Sequence, residues 1–119
     1  MAIPTGPGTE VMKSNRNLAM SDTNVLLIPS PTANHIYTVL SIIFAEEANA
    51  AEILYLRLFT NSAMNAGDHW LMRSQAIGGM QTFVWNDRFS FSGVLYLGAM
   101  TASAANVDVL TTYIDQDWT

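Results

Sequence analysis

Cysteine is missing from this chain altogether. With it go disulfides, thiolate zinc sites and a cysteine nucleophile, so the fold must hold without a covalent staple and in any redox environment. Histidine is nearly as scarce, with His35 and His69 alone. A metal centre needs three or four convergent ligands, and no paired-histidine spacing supplies them. Only five Lys and Arg stand against ten Asp and Glu, for a formal charge of −5. Lys13 and Arg16 fall early, balanced there by Glu10 and Asp22. From Asn24 onward only Arg57, Arg73 and Arg88 face eight carboxylates. Phosphate binding needs clustered cations, so neither nucleic acid nor an anionic membrane surface is an expected partner. No apolar run approaches the ~20 residues of a membrane span. The opening MAIPTGPGTEVMKSNRN lacks an apolar core behind a basic start, and no signal peptide is expected there. A Gly-rich phosphate loop, a Gly-x-Ser-x-Gly elbow and an N-glycosylation sequon are all missing as well.

Charge of either sign is short. Charged residues make up 13% of the chain and hydrophobic ones 50%, where a solvated domain carries about 25% charged. The shortfall points to surface that meets other protein; a Ser/Thr/Asn-rich β-protein surface is the plainer account. At 119 residues the chain makes one domain. Such a domain buries roughly 65% of the surface its unfolded chain exposes.

What is present is centred on His35–Phe59. HIYTVLSIIFA and AEILYLRLF flank a polar break, EEANA. Both runs are apolar, β-branched or aromatic and free of Gly and Pro, so each suits a pleated ribbon. In the first, both alternating faces are largely apolar. That predicts burial against an opposite sheet on one side and against a neighbour or loop on the other. Leu54, Leu56 and Leu58 alternate with Ile53, Tyr55, Arg57 and Phe59, a period-two pattern that makes 52–59 a strand. Ala and Glu in 46–51 also admit a helix across the join. Further strands are expected at 25–28, 70–73, 80–85, 94–97 and 107–114, with 89–91 a strand or bulge. Turns are expected at the Pro29-Ser30-Pro31 corner, at Gly78-Gly79 with positive φ, and at Asn86-Asp87-Arg88; 98–105 reads as a small-residue loop. About eight short strands at this spacing predict an all-β, antiparallel β-sandwich of jelly-roll type.

Residues 1–23 stand apart. Pro4, Gly6, Pro7 and Gly8 punctuate the start, and Ile3, Val11, Met12, Leu18 and Met20 supply more apolar side chains than a solvated tail requires. The chain therefore divides into an extended N-terminal arm, 1–23, and a sandwich, 24–119. The arm's apolar residues are expected subunit contacts. Met64 and Met100, read as loop residues with adaptable side chains, and Trp118 near the end join them.

Reactive groups are few and isolated. Asp68-His69 is a loop pair without further ligands. Glu46, Glu47 and Glu52 lack a cleft and are read as solvated loop carboxylates rather than a glycosidase pair. Trp70, Trp85 and Trp118 can be core, contact or sugar-stacking residues. No catalytic, metal or cofactor residue is assigned, and no enzyme is expected.

Residues 24–115 resemble small bacteriophage virion proteins. The resemblance lies in VLLIPSP, then YTVLSIIFAEEANAAEILYLRLF, a Gly-Gly turn, GVLYLGA and a closing NVDVLTTYID. It implies a jelly-roll-like capsid decoration (cement) protein that stabilises the head shell. Tail, baseplate or head-fibre adaptor and carbohydrate-binding sandwich are the alternatives. It further implies a homo-oligomer, expected as a trimer, with the major capsid protein as partner. The expected location is the capsid exterior after assembly in the host cytoplasm.

Overall fold

A computed structural model describes residues 8–118. It comprises nine strands: β1 (Thr9–Met20), β2 (Val25–Leu26), β3 (His35–Glu46), β4 (Glu52–Phe59), β5 (His69–Ile77), β6 (Thr82–Trp85), β7 (Phe89–Ser92), β8 (Tyr96–Thr101) and β9 (Val107–Asp117). Among the described residues there is no helix; Glu46 ends β3, and 47–51 is a loop between β3 and β4.

All pairings are antiparallel. One sheet runs β1-β9-β3-β6, with β7 also on β3; the other runs β2-β8-β4-β5. β6 pairs with residues 42–45 of β3 and β7 with residues 36–39. The two are thus one broken strand, and eight strand positions close the jelly roll expected from the sequence. Asn86–Arg88 is the break in that strand rather than a turn between two neighbours. Trp85 Nε1 bridges it by donating to the Asp87 carbonyl at 2.9 Å.

Between the sheets lie Val39, Ile42, Phe44, Leu54, Leu56, Leu97, Val107 and Val109, all essentially inaccessible. Tyr37, Phe91 and Tyr113 form an aromatic cluster with ring separations of 5.6 and 6.0 Å from Tyr37. The β3–β9 register shifts between Val39 and Ser41. This bulge adds one residue, so the inward set changes from odd to even positions: Tyr37 and Val39, then Ile42, Phe44 and Glu46. Unbroken even-odd alternation, as the sequence suggests, does not occur.

β1 lies within the expected arm, 1–23, whose first seven residues fall outside the described ones. Residues 9–20 are a full edge strand, paired with β9 from Thr9↔Asp117 to Met20↔Val107. Its inward face is polar, which hides it from a periodicity search. Lys13 Nζ donates to Asp115 Oδ2 at 2.8 Å, and Asn15 and Asn17 donate to the Leu27 and Leu26 carbonyls at 3.0 and 3.1 Å. The two Asn side chains thus clasp one sheet to the edge of the other, where most folds would place aliphatic groups.

β8 continues to Thr101, through residues expected as a loop. Its small residues serve packing. A Cβ at Gly98 would lie 2.7 Å from Met64 Sδ and 3.0 Å from Phe59 Cε2. Glu46, expected in solvent, is buried. It accepts from the Met80 and Ala48 amides, each at 2.8 Å, and from Ala50 at 3.3 Å. The Met80 amide, against the opposing effect of burial and with help from Ala48 and Ala50, holds its carboxyl below the ordinary 4.5. Glu52 is likewise inside, accepting from the Ser103 hydroxyl at 2.9 and 3.1 Å. The positive φ expected at Gly78-Gly79 falls on Met80 (φ 59). Gly79 is needed for a different reason: a Cβ there would come within 2.6 Å of the Asn49 carbonyl carbon.

Candidate assembly surfaces

The strand register lays out the outer face of the five-stranded sheet. Arg16 is opposite Leu110, Leu110 opposite Ile43, and Ile43 opposite Val84. Directly paired residues share a face, so these four make one row across β1, β9, β3 and β6. Leu18 adjoins it, lining a shallow hollow with Ile43, Ala45 and Leu110. Toward the other end, Met12 is opposite Ile114 and Ile114 opposite Thr38. Leu18 and Met12 are about two-thirds exposed, Val84 half and Leu110 somewhat less. This is an apolar stripe on the solvent side of a sheet whose other side already covers the core.

β1 adds a second surface. Among the described residues it pairs only with β9, which leaves the backbone of a twelve-residue strand open along one edge. Such an edge can accept a strand from another chain unless something covers it.

Its attachment is electrostatic at one end. Asp115, with 8% of its side chain exposed, takes Lys13 Nζ on Oδ2 and His35 Nδ1 on Oδ1 at 2.8 and 2.7 Å. An ionised carboxylate only accepts, so Nδ1 carries the hydrogen. His35 Nε2 also reaches Asp117 at 3.4 Å. Burial alone would raise the Asp115 pKa. The hydrogen bonds from Lys13 and His35, and their charges, outweigh it and hold the carboxyl below 3.8. The bond to Asp115, reduced by burial, raises Lys13 above 10.5.

The eight expected subunit contacts separate. Val11, Met12 and Leu18 are exposed on β1. Met20 is not available, because it is 1% exposed and part of the core. Met64 and Met100 are half-buried, and their sulfurs are engaged within the protomer. That of Met64 lies over Gly98, and that of Met100 accepts from Arg57 Nη2 at 3.2 Å. Trp118 is also half-buried, its ring against Gly8 and its amide donating to the Asn34 carbonyl at 3.0 Å. Ile3 lies outside the described residues. The sequence reading did not single out Leu110, Ile43 and Val84. The signal was there in the second apolar face of β3, which called for a covering neighbour.

The other flagged groups do not converge. Asp68 pairs with Arg57 at 3.4 Å, His69 is exposed on β5, and Glu46 and Glu52 are each bound up in local hydrogen bonds. Among the described residues no three His, Asp or Glu are grouped as a metal site, and no helix is long and apolar enough to cross a membrane.

No protein-family profile and no curated protein matches the chain. Solved structures share its fold. A subunit of the Bacillus endospore appendages, described as a family of disulfide-linked pili, superimposes with a TM-score of 0.59 at 9% identity, over 100% of this chain and 97% of that one. The protein of T=1 particles derived from infectious bursal virus gives 0.51 at 4% identity, over 95% of this chain. This chain spans 36% of that protein's length. At such identities the likeness is one of fold.

Proposed function

We propose that this chain is a non-enzymatic structural subunit that works by packing against copies of itself and against a larger shell. The specific reading is a phage capsid decoration (cement) protein. It sits as a homo-oligomer, a trimer, on the exterior of the virion, with the major capsid protein as partner, after assembly in the host cytoplasm. The observation that carries it is the Arg16–Leu110–Ile43–Val84 row with Leu18 beside it. Each aliphatic side chain there gains on the order of 1–2 kcal/mol when a partner completes its burial. A stable interface of ~1,200–2,000 Å² needs such a face together with the β1 edge. The two structures of like fold, a pilus subunit and a capsid protein, support a role in assembly. With no cysteine, a disulfide-linked assembly is closed to this chain, so its contacts must be non-covalent.

A fibre or tail-adaptor subunit is the second reading. What favours it is that the pilus subunit matches along nearly the whole of both chains, so a body of this size suffices for a filament.

Sedimentation velocity on the full chain tests the shared premise. The wild type should form oligomers or bind shells lacking it, and Leu110→Lys should abolish association while leaving the circular-dichroism spectrum unchanged. A wild-type chain that sediments only as a 13.1 kDa monomer and ignores shells overturns the proposal. Electron microscopy of the assembled form separates shell-bound clusters from filaments.

A further inference from the structure

On the opposite face of the molecule, β4, β5 and β8 frame a cleft of about 320 Å³ lined by Tyr55, Arg57, Trp70, Arg73, Ser74 and Met100. We propose that this cleft binds a sugar residue bearing a carboxylate. It lies on the sheet away from the apolar row, so it can be occupied whether or not the protein assembles.

The first argument is the placement of charge. The chain has five basic residues against ten acidic ones, yet two of the five converge on one indole. The Arg57 guanidinium lies 4.3 Å from the Trp70 ring centre and that of Arg73 4.7 Å. Arg57 is also held over Phe59 at 4.9 Å. Stacking fixes both planar forks before any ligand arrives, which lowers the ordering cost of binding.

The second argument is that this charge is under-used. Arg57 has Asp68 at 3.4 Å and the Met100 sulfur, but its Nε is buried with no acceptor. Among the described residues no carboxylate lies within salt-bridge reach of Arg73, whose contact is with Trp70. Two arginines and one aspartate leave about one net positive charge. That suits a monoanion such as a carboxylate better than a doubly charged phosphate, which the acidic chain as a whole also repels.

The third is the backbone. The β4–β5 register steps from Leu54↔Gln75 to Leu56↔Met72, so Arg73 and Ser74 oppose Tyr55 alone. Ser74 takes φ 61, a left-handed conformation that costs a non-glycine residue about 1 kcal/mol. Bulges of this kind re-aim side chains beside binding sites. Here the bulge sets Arg73 over Trp70 and brings the Ser74 hydroxyl to the cleft wall. Tyr55 stands edge-on to Trp70 at 5.7 Å. The cleft thus combines aromatic edge, hydroxyl and guanidinium, and its volume is of the size that takes one small ring. Aromatic C–H contact and hydroxyl partners fit a sugar better than an aliphatic acidic side chain.

The test is a matched pair of probes, methyl β-glucuronide and methyl β-glucoside, which differ only in the carboxylate. They are titrated into the full chain while amide and indole N–H shifts are followed by NMR. The glucuronide should shift the Trp70 indole and residues 73–74 and bind roughly tenfold or more tightly than the glucoside. Arg73→Gln, at an exposed position, should remove that preference while melting as the wild type does. Equal binding of the two sugars overturns carboxylate recognition. No shift with either sugar overturns the sugar assignment, and no shift with the sugars or with an acidic peptide overturns the site. If neither sugar binds but an acetylated Ala-Glu-Ala amide shifts the same residues, the occupant is an acidic peptide and the sugar assignment falls.

Discussion

Asp115→Asn tests how the edge strand is held. The substitution keeps the side chain's volume and one acceptor oxygen but removes the charge that serves Lys13 and His35 together. The Lys13 side chain is 47% exposed, so its contact is discounted to at most ~1 kcal/mol. His35 is 17% exposed, and a charge-assisted bond of that kind contributes about 1.5 kcal/mol. Part of one contact survives on the Asn oxygen, for a net loss of about 2 kcal/mol. At roughly 4 °C per kcal/mol for a domain of this size, the melting temperature falls by about 8 °C. The loss has a pH signature. The folded Asp115 titrates below its ordinary 3.8. Its contribution is therefore complete above that value and drains away as pH falls through the folded pKa. Urea unfolding at a series of pH values should show the wild type ahead of the variant at neutral pH, with the gap closing below about pH 4. Equal midpoints at neutral pH, or a gap that persists undiminished in acid, would refute the assigned role of Asp115.

Three other substitutions read separate parts of the fold. Gly93→Ala drives a methyl group into the Thr32 backbone and should cost at least ~3 kcal/mol, read as loss of soluble, two-state protein. Met80→Gly relieves the left-handed φ of 59 while keeping the amide that serves Glu46, and a chemical melt should show a gain of about 0.5–1 kcal/mol. Glu46→Gln should speed hydrogen exchange at Ala48, Ala50 and Met80. It should also flatten acid unfolding, because a carboxyl held below 4.5 contributes stability above that value and loses it as pH falls through the folded one.

How much of this was legible depended on which side of each strand meets the core. β4 shows in the sequence as strict alternation, and its alternation survives in the structure through Leu54, Leu56 and Leu58. β3 was legible too: one of its two apolar faces lies in the core, while the other, expected to be covered by a neighbour or loop, is only partly buried. The bulge near Leu40 was not legible, since a single inserted residue leaves no compositional mark. β1 escaped because Lys13, Asn15 and Asn17 fill its inward positions, and a polar inward face reads like solvent. β8 was truncated because Gly98 and Ala99 look like loop residues, although Gly98 is small to admit Met64 and Phe59 and Ala99 lies in the core. Glu46 illustrates the same limit for single side chains: a carboxylate in a loop-like stretch gives no hint that three amides close around it. In the arginine cleft the residue types were visible, but Arg57, Trp70 and Arg73 come together only through the irregular β4–β5 pairing.

The asparagine clasp on β1 bears on how the molecule opens. Apart from Met20, little oily surface is uncovered when this strand lifts away, because Asn15, Asn17 and Lys13 exchange their protein partners for water at nearly even free energy. Partial detachment of the sheet margin is accordingly a shallow excursion from the native state, well short of global unfolding. Its amides should trade hydrogen for deuterium long before those of β3, which lies in the middle of the same sheet.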